Sequence, residues 1–342
     1  MLAEQKLKEA MFYEKKQKNI VKCNLCPHNC VIAENKNGIC GVRKNIQGKL
    51  YSLVYGKAIA WHLDQIEKKP LFHFYPGSFI YSFATAGCNF SCKFCQNWDI
   101  SQISKGKDAQ ITGYEKTPEK IINEALKLNA TSIAMTYNEP SIFYEYAYDV
   151  CVLAKKNNLK TVFVSNGYIN KEPIDKIQPY LDAINIDLKA FSDDFYKKVC
   201  GAKLQPVLDS IKYYHEKNIL VEITTLIIPD ENDSDEELKK IAEFIASIDK
   251  NIPWHISRFH PDYLMTNKSF TSSKILEKAY SIGKKAGLKY IYIGNIPGHK
   301  YENTYCAKCS ELLIKRLGFQ ILENKIKNNK CPYCNEKIVG YF

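Results

Sequence analysis

The chain has 342 residues, 45% of them hydrophobic and 25% charged. This composition is typical of a folded globular protein and excludes a disordered or fibrous one. The first 18 residues are too polar for a signal peptide, and no apolar run reaches the roughly 18 residues of a membrane span. We therefore expect a cytoplasmic protein with no membrane partner.

The net charge is +11, but only three of the 48 basic residues are arginines. Recognition of bases and phosphates favours the forked guanidinium of arginine. The lysines are scattered along predicted helical faces, which favours a solvated surface. Nucleic acid is therefore disfavoured as a partner, although the charge keeps it as an alternative.

Thirteen cysteines are present, an odd number in a long chain, which disfavours a disulfide framework. Eleven of them form three groups, which predicts metal binding. Cys151 and Cys200 stand alone, and we expect the first to be in the core and the second to be partly exposed. The groups are Cys23, Cys26, Cys30 and Cys40; then Cys88, Cys92 and Cys95; then Cys306, Cys309, Cys331 and Cys334.

Residues 1–78 are predicted to form an N-terminal cysteine-rich module, beginning with a polar helix over residues 1–20. The spacing of its four cysteines fits zinc and an auxiliary iron–sulfur cluster about equally well. We expect this module to act as a lid or docking element rather than as part of the main domain.

Residues 79–299 contain seven short runs rich in β-branched and aromatic residues, separated by helical segments. This alternation predicts an α/β fold with a parallel sheet, best described as a partial (βα)6-type barrel. Function in such folds gathers at the carboxyl ends of the strands. The runs begin at Phe79, Thr131, Lys160, Asp182, Ile219, Trp254 and Lys289.

The central cysteines follow the first of these strands with C-x3-C-x2-C spacing. Three thiolates on one loop can bind three corners of a 4Fe-4S cluster and leave one iron open to another ligand. A zinc loop with a fourth ligand elsewhere is the alternative. We take Cys88, Cys92 and Cys95 as the candidate catalytic cluster ligands.

Residues 300–342 contain two C-x2-C pairs separated by 21 residues, which predicts a zinc-ribbon-like tail. One metal ion bound by four thiolates would stabilise a segment too short for its own hydrophobic core. Zinc is the first candidate for this site, with iron or an auxiliary cluster as the alternative.

The loop CNFSCKFCQNW resembles the motif of the radical SAM superfamily, and the flanking segments CNLCPHNC, TYNEPSIF and CPYC are similar to those of its AmmeMemoRadiSam group, related to pyruvate formate-lyase activating enzyme. The resemblance implies a 4Fe-4S cluster, S-adenosylmethionine (SAM) as co-substrate and an oxidoreductase that generates a 5′-deoxyadenosyl radical. It also implies an electron donor such as a flavodoxin or ferredoxin, and a protein glycine as one substrate class.

The resemblance also implies roles for residues at the strand ends. Glu139 would bind the SAM amine, and Phe94 would lie near the adenine. Each of these roles has a structural alternative. Glu139 could end a helix, Ser165 and Asn166 could form an ordinary turn, and Asp187 and Lys189 could form an ion pair. Arg258 would bind a carboxylate or form a salt bridge. The cofactor-binding candidates are Phe94, Asn138, Glu139, Ser165, Asn166, Asp187, Lys189 and Arg258.

Three other functions remain open from the sequence. The same radical chemistry could modify RNA or a small molecule. An iron–sulfur or zinc electron carrier would not use SAM, and a nucleic-acid-binding protein would show salt-dependent affinity.

Overall fold

A computed structural model describes residues 7–106 and 109–342. The chain divides into two compact units. The first contains residues through Leu63, Ile80–Ser91 and Cys95–Asp182, and the second contains Asp64–Phe79, Cys92–Phe94 and Ala183–Phe342. The domain boundaries at 78 and 299 remain predictions. In the described residues, no helix is long and apolar enough to cross a membrane.

The N-terminal part of the first unit consists of short strands arranged in small antiparallel sheets. One sheet has the order β1-β6-β5 and another the order β2-β3-β4. The hairpin between β5 and β6 turns at Gln47 and Gly48, both with positive φ, as a two-residue turn requires. These strands are β1 Lys8–Glu9, β2 Tyr13–Lys15, β3 Val21–Cys23, β4 Val31–Ile32, β5 Arg43–Ile46, β6 Lys49–Ser52, β7 Lys57–Ala58 and β8 Ala60–Gln65.

The polar helix predicted over residues 1–20 is therefore wrong for its described part, while residues 1–6 lie outside the described residues. Ala10 donates its backbone N–H to Leu50 at 2.8 Å, so this segment pairs with β6. Phe12 has a φ of 55° and packs edge-on against Tyr144. Pairing and burial here outweigh the helix propensity of the lysines and glutamates.

The rest of the first unit carries the first three predicted parallel strands. Strand β11 pairs in parallel with both β9 and β12, in a sheet order of β8-β9-β11-β12. The predicted cap at Thr117 is confirmed, since its side chain accepts the backbone N–H of Lys120. The elements are β9 Phe79–Ala84, α1 Trp98–Ser101, β10 Tyr114–Glu115, α2 Pro118–Lys127, β11 Ser132–Met135, α3 Tyr144–Lys156, β12 Lys160–Ser165 and α4 Lys171–Ile177.

The second unit contains the other four predicted strands, which pair in parallel in chain order. Ser234 caps α7 as predicted, but the Glu237 side chain accepts the backbone N–H of Phe191 instead of closing a capping box. The elements are β13 Ala183–Asp187, α5 Asp193–Phe195, α6 Leu204–Glu216, β14 Leu220–Ile227, α7 Asp235–Ile248, β15 Trp254–Arg258, α8 Ser273–Lys285 and β16 Ile291–Gly294.

The C-terminal tail is a three-stranded antiparallel sheet within the second unit, with the order β17-β18-β19. It shares a hydrophobic cluster with residues at the start of β16, including Tyr290 and Tyr292. The chain end pairs with an earlier segment, since Tyr341 donates its backbone N–H to His73 at 2.8 Å. The strands are β17 Thr304–Tyr305, β18 Leu312–Leu317 and β19 Gln320–Asn324.

A buried polar network connects this tail to the parallel strands of the second unit. Glu222 is fully buried and accepts a hydrogen bond from His255 at 2.6 Å and from the backbone N–H of His73 at 2.8 Å. The His73 ring bonds the Tyr292 hydroxyl at 2.7 Å, and Arg316 donates to the Phe72 carbonyl at 3.1 Å. Each of these buried side chains thus finds a partner across elements, which fixes the tail to the sheet.

Candidate functional site

The loop after β9 is held tightly against the N-terminal strands of the first unit. Gly87 has a φ of +97°. A Cβ at this position would lie 2.7 Å from the Val42 side chain and 2.9 Å from both the Cys40 carbonyl and the Ser104 hydroxyl. The position therefore requires glycine for both its backbone conformation and its packing.

The sulfur atoms of this loop have polar neighbours suited to a metal-bound thiolate. Cys88 is 8% exposed, and its Sγ accepts the backbone N–H of Phe90 at 3.4 Å and lies 3.9 Å from the Asn166 amide nitrogen. The Cys95 Sγ lies 3.3 Å from the Ser101 hydroxyl. Hydrogen bonds to sulfur stabilise the charge of iron–sulfur clusters. These contacts suit a cluster ligand, and cluster binding by Cys88, Cys92 and Cys95 remains a prediction.

Glu139 is a buried carboxylate that joins the ends of β11 and β12. Its Oε1 accepts the Ser141 N–H and the Ser165 hydroxyl, each at 2.9 Å, and its Oε2 accepts the Asn166 N–H at 2.7 Å. Burial raises its pKa despite the donors from Asn166, Ser141 and Ser165. No ion pair of Glu139 occurs in the part of the chain that the structure describes. By accepting the Ser141 N–H, Glu139 also caps the short 3-10 helix Pro140–Phe143. This is the helix-terminal role considered from the sequence.

Asn138 holds the cysteine loop through its amide group. Its Nδ2 donates to the Thr85 carbonyl and, at 2.6 Å, to the Gly87 carbonyl. Its Oδ1 is buried and has no hydrogen-bond partner within the described structure. An orphaned acceptor of this kind is expected to bind a donor from a ligand or a water molecule.

Asn89 was not identified from the sequence, although it connects several parts of this site. Its Oδ1 accepts the Asn166 amide at 2.7 Å, and its Nδ2 donates to the Tyr168 carbonyl at 3.0 Å. Its own carbonyl oxygen lies 2.8 Å from the His28 ring nitrogen. Its position directly after Cys88 was the only available sequence signal, since all these partners are distant in sequence.

In the second unit, Cys92 lies beside Cys200. The Lys93 N–H donates to the Val199 carbonyl at 3.0 Å, which brings the neighbouring cysteines together. The pKa of the Cys92 thiol is raised, chiefly by its hydrogen bond with Cys200 and secondly by burial. Cys200 is completely buried, so the prediction of partial exposure is wrong. The prediction for Cys151 is confirmed, because it is also fully buried in α3.

Lys189 provides a buried cation in the same region. Its Nζ lies 2.9 Å from the Asp187 carboxylate and 5.5 Å from the centre of the Phe94 ring. Burial alone would lower its pKa, but the Asp187 carboxylate outweighs burial and raises the pKa well above the usual lysine value. A lysine held charged beside Cys92 favours anionic groups here, such as a thiolate or a carboxylate.

Arg258 lies at the end of β15 and is half-buried. Its Nε donates to the Thr271 carbonyl at 3.0 Å, and its guanidinium lies 5.2 Å from the centre of the Phe270 ring. Neither partner is a carboxylate, and no salt bridge of Arg258 occurs among the described residues. The structural salt bridge considered for it is therefore not found, and a carboxylate-binding role remains a prediction.

The four N-terminal cysteines lie in the first unit beside the buried Arg43–Glu145 ion pair. Arg43 donates to Glu145 at 3.0 Å. Burial lowers the pKa of Arg43. The charges of Glu145, Cys23 and Cys40 outweigh this effect, so the pKa is raised overall. In residues 7–106 and 109–342, these cysteines do not form a group whose ligand atoms all lie within 4.8 Å. A metal at Cys23, Cys26, Cys30 and Cys40 remains a prediction.

The four C-terminal cysteines are gathered around one point, with all their Sγ atoms within 4.8 Å of one another. The Sγ atoms of Cys306 and Cys334 are 3.5 Å apart, and those of Cys309 and Cys331 are 3.7 Å apart. Four sulfurs at about 2.3 Å from one tetrahedral zinc ion would lie about 3.8 Å apart. The donor set therefore fits a single tetrahedral ion better than a larger cluster.

The two C-terminal C-x2-C segments have the same backbone geometry. Cys306 donates its N–H to Glu311 and Cys331 donates to Glu336, both at 2.9 Å. Ser310 and Asn335 occupy equivalent positions with φ values of 63° and 59°. Burial alone would raise the pKa of Cys306. The backbone amides of Cys309 and Lys308 outweigh burial and lower the pKa to about 7. This repeated turn places each pair of sulfurs for metal binding, as the ribbon prediction requires.

Comparisons with known proteins connect this chain to one superfamily. The Radical SAM superfamily profile matches residues 83–245. An uncharacterised protein of Methanocaldococcus jannaschii is 46% identical over 97% of this chain and 99% of its own length. Another protein of that organism, provisionally named a glycyl-radical enzyme activating enzyme, is 31% identical over 60% of this chain and 76% of its own length.

Among solved structures, a radical SAM methyltransferase from Sphaerobacter thermophilus is similar in fold. Its TM-score is 0.52 at 16% identity, over 67% of this chain and 71% of that chain. At this identity the likeness concerns the fold alone. Together with the seven parallel strands, it confirms the predicted α/β fold class with a parallel sheet and a ribbon-like cysteine tail.

Proposed function

We infer the function of this chain from its family, since it belongs to the radical SAM superfamily. The predicted relation to activating enzymes is confirmed by the M. jannaschii relative that carries that name. In our proposal, Cys88, Cys92 and Cys95 bind the 4Fe-4S cluster that the family implies, and SAM occupies the adjoining strand ends.

The observation that carries this proposal is the buried Glu139 carboxylate. A buried charge is costly unless it is paired, and among the described residues Glu139 has hydrogen bonds but no cation. All of its hydrogen-bond donors are neutral groups, so its charge has no cationic partner among the described residues. The Glu139 carboxylate, together with the free Oδ1 of Asn138, suits an ammonium group. The SAM amine is such a group, so we assign it to Glu139 and Asn138.

Asn166 and Ser165 complete this half of the proposed site. Asn166 bonds Glu139 through its backbone and reaches both Cys88 and Asn89 through its side chain. One residue therefore connects the amine-binding carboxylate with a cluster ligand. We propose that Ser165 and Asn166 position Glu139 and Cys88 relative to each other.

Asp187, Lys189 and Phe94 are proposed as further cofactor-binding residues. Lys189 is held charged by Asp187, so it is suited to a carboxylate or to the negative cluster. Phe94 packs near Phe195, with ring centres 6.1 Å apart, and provides an apolar face for the adenine. Arg258 is kept as a further carboxylate-binding candidate.

The bound cluster and SAM would supply a 5′-deoxyadenosyl radical that removes a hydrogen atom from the substrate. The protein would hold the co-substrate in one orientation and exclude water from it. We further propose a flavodoxin or ferredoxin as electron donor and a protein glycine as substrate, because one relative carries the provisional name of a glycyl-radical enzyme activating enzyme. For the C-terminal cysteines we propose zinc, with iron as the alternative.

The substrate class can be tested with isotope transfer. Reduced protein is incubated anaerobically with SAM and a ribonuclease-treated protein fraction labelled with α-deuterated glycine. Deuterium in the 5′-deoxyadenosine product would support hydrogen abstraction from glycine. Unlabelled product formed at the same rate would refute the glycine assignment, while leaving SAM cleavage intact.

A further inference from the structure

A groove of about 340 Å3 in the second unit is rich in tyrosine and lysine. We call it the tyrosine groove. It lies between α8, the start of β16 and the segment that leads into the C-terminal cysteines. Its lining includes the aromatic residues Tyr280, Tyr290, Tyr292, Tyr301 and Tyr305 and the basic residues Lys284, Lys289 and Lys300.

The aromatic part of the groove is a preformed stack. The rings of Tyr280 and Tyr301 are parallel within 9°, with centres 3.6 Å apart. Both side chains are only partly buried. Flat aromatic surfaces of this kind bind nucleobases by stacking, with little dependence on base identity. The two rings already order each other, so they would lose little conformational freedom when a base displaces the exposed ammonium of Lys300 from the outer face of Tyr301.

The cationic part lies beside this stack. The ammonium of Lys300 lies 4.7 Å from the centre of the Tyr301 ring, and that of Lys284 lies 5.6 Å from the Tyr280 ring. Lys284 donates to the Lys289 carbonyl at 2.6 Å, and burial lowers its pKa. Lys284 lies in α8, Lys289 lies before β16 and Lys300 lies after it. These three lysines line one groove, whereas the sequence had predicted lysines scattered along helical faces.

No carboxylate neutralises these lysines within the described lining of the groove. Glu302, which lies close in the chain, is buried and accepts the N–H groups of Gly298 and Gly318 at 2.9 and 3.1 Å. A cluster of cations without acidic partners attracts anions. The volume is within the range of small-molecule sites.

We propose that the tyrosine groove binds a nucleotide, with its base on the Tyr280–Tyr301 stack and its phosphate near Lys284, Lys289 and Lys300. The nucleotide could be free or part of a single-stranded RNA, since both present the same base and phosphate. This site adjoins the C-terminal cysteines rather than the carboxyl ends of the strands, so it is separate from the proposed SAM site and does not depend on SAM chemistry.

The test is a binding measurement on the full-length, metal-loaded protein without reductant or SAM. A fluorescein-labelled single-stranded RNA is titrated by anisotropy, and AMP is titrated by calorimetry. Removing a stacking ring costs about 1–3 kcal/mol per base, so Tyr301→Ala should weaken binding about 5- to 150-fold. Tyr301→Phe keeps the ring and should bind within about twofold of the wild type.

The lysine contribution is tested with a charge-matched pair of variants. Lys300→Gln should weaken binding, whereas Lys278→Gln should not, because Lys278 pairs with Asp235 outside the groove. If three lysines contact phosphates, RNA affinity should fall about 20-fold between 50 and 200 mM salt.

Each outcome decides the proposal. RNA binding that responds to Tyr301→Ala and Lys300→Gln supports an RNA source, and AMP binding with the same response supports a free nucleotide. Absence of binding by both probes at low salt overturns the proposal. Equal binding by Tyr301→Ala and wild type, or equal losses in Lys300→Gln and Lys278→Gln, also overturns it.

Discussion

The backbone N–H of Asn166 donates a 2.7 Å hydrogen bond to the buried carboxylate of Glu139. This bond joins the ends of two adjacent parallel strands, β11 and β12. The Asn166 side chain extends the connection to Asn89 and toward Cys88. The proposed amine site and the proposed cluster site therefore share one hydrogen-bonded support.

We predict that Glu139→Gln weakens SAM binding at least about tenfold, because it removes the charge that the ammonium would pair with. The amide oxygen still accepts from Ser141 and Ser165, but its NH2 group faces the Asn166 N–H, so we expect a folded protein of somewhat lower stability. Isothermal titration calorimetry with a parallel melting curve checks both statements. Glu172→Gln, which removes an exposed carboxylate from α4, is the charge-matched control. Unchanged SAM affinity in Glu139→Gln would leave Glu139 with its capping role alone.

We predict that Gly87→Ala destabilises the cysteine loop by about 1–3 kcal/mol through overpacking against Val42 and Ser104. The left-handed backbone adds about 1 kcal/mol to this cost. Gly106→Ala is the matched control, since Gly106 also has a positive φ but a Cβ added there would have no atom within 4 Å among the described residues beyond its chain neighbours. Urea unfolding and iron content are measured on both. Equal behaviour of the two variants would disprove the packing role of Gly87.

The seven parallel strands could be predicted because each is a short apolar run followed by turn or polar residues. Local caps such as Thr117 and Ser234 were also visible, because their partners lie three residues away. The contact between Cys92 and Cys200 could not be predicted, since it depends on the packing of distant segments. The short N-terminal strands were missed for the same reason: their pairing with β6 and β3 outweighs local propensity.

We predict that Cys331→Ser removes one metal ion per chain, because four sulfurs form the C-terminal site. Cys331 is also part of the hydrophobic cluster with Tyr290 and Leu313, so metal loss should make residues 300–342 sensitive to protease. Elemental analysis of purified protein also distinguishes zinc from iron. Lys308 is next to the ligand Cys309 in the chain but is not itself a ligand, so Lys308→Gln should keep the ion. An unchanged metal content in Cys331→Ser would refute the site.

We predict that stability falls as the pH is lowered from about 6.5 to about 4, in part through His73. Burial lowers the pKa of His73 to about 4, whereas an unfolded histidine titrates near 6.5. Between these values the unfolded state carries the extra proton, so acid favours unfolding by up to about 3 kcal/mol from this group. The nearby Glu222 charge acts against the shift, and Arg316 and His255 act with it.

Acid unfolding of His73→Gln should therefore show a shallower pH dependence than that of the wild type. His62 is exposed, so His62→Gln should keep the wild-type slope. A slope unchanged by His73→Gln would show that other groups control the acid transition.

Production of 5′-deoxyadenosine is the most direct measure of the central claim. Reconstituted protein is incubated anaerobically with SAM and a strong reductant, and the product is quantified by chromatography. We predict product from the wild type and from Cys309→Ala, and none from Cys92→Ala, which should stay folded but lack the cluster. Product from Cys92→Ala, or none from wild-type protein with an assembled cluster, would contradict the assignment.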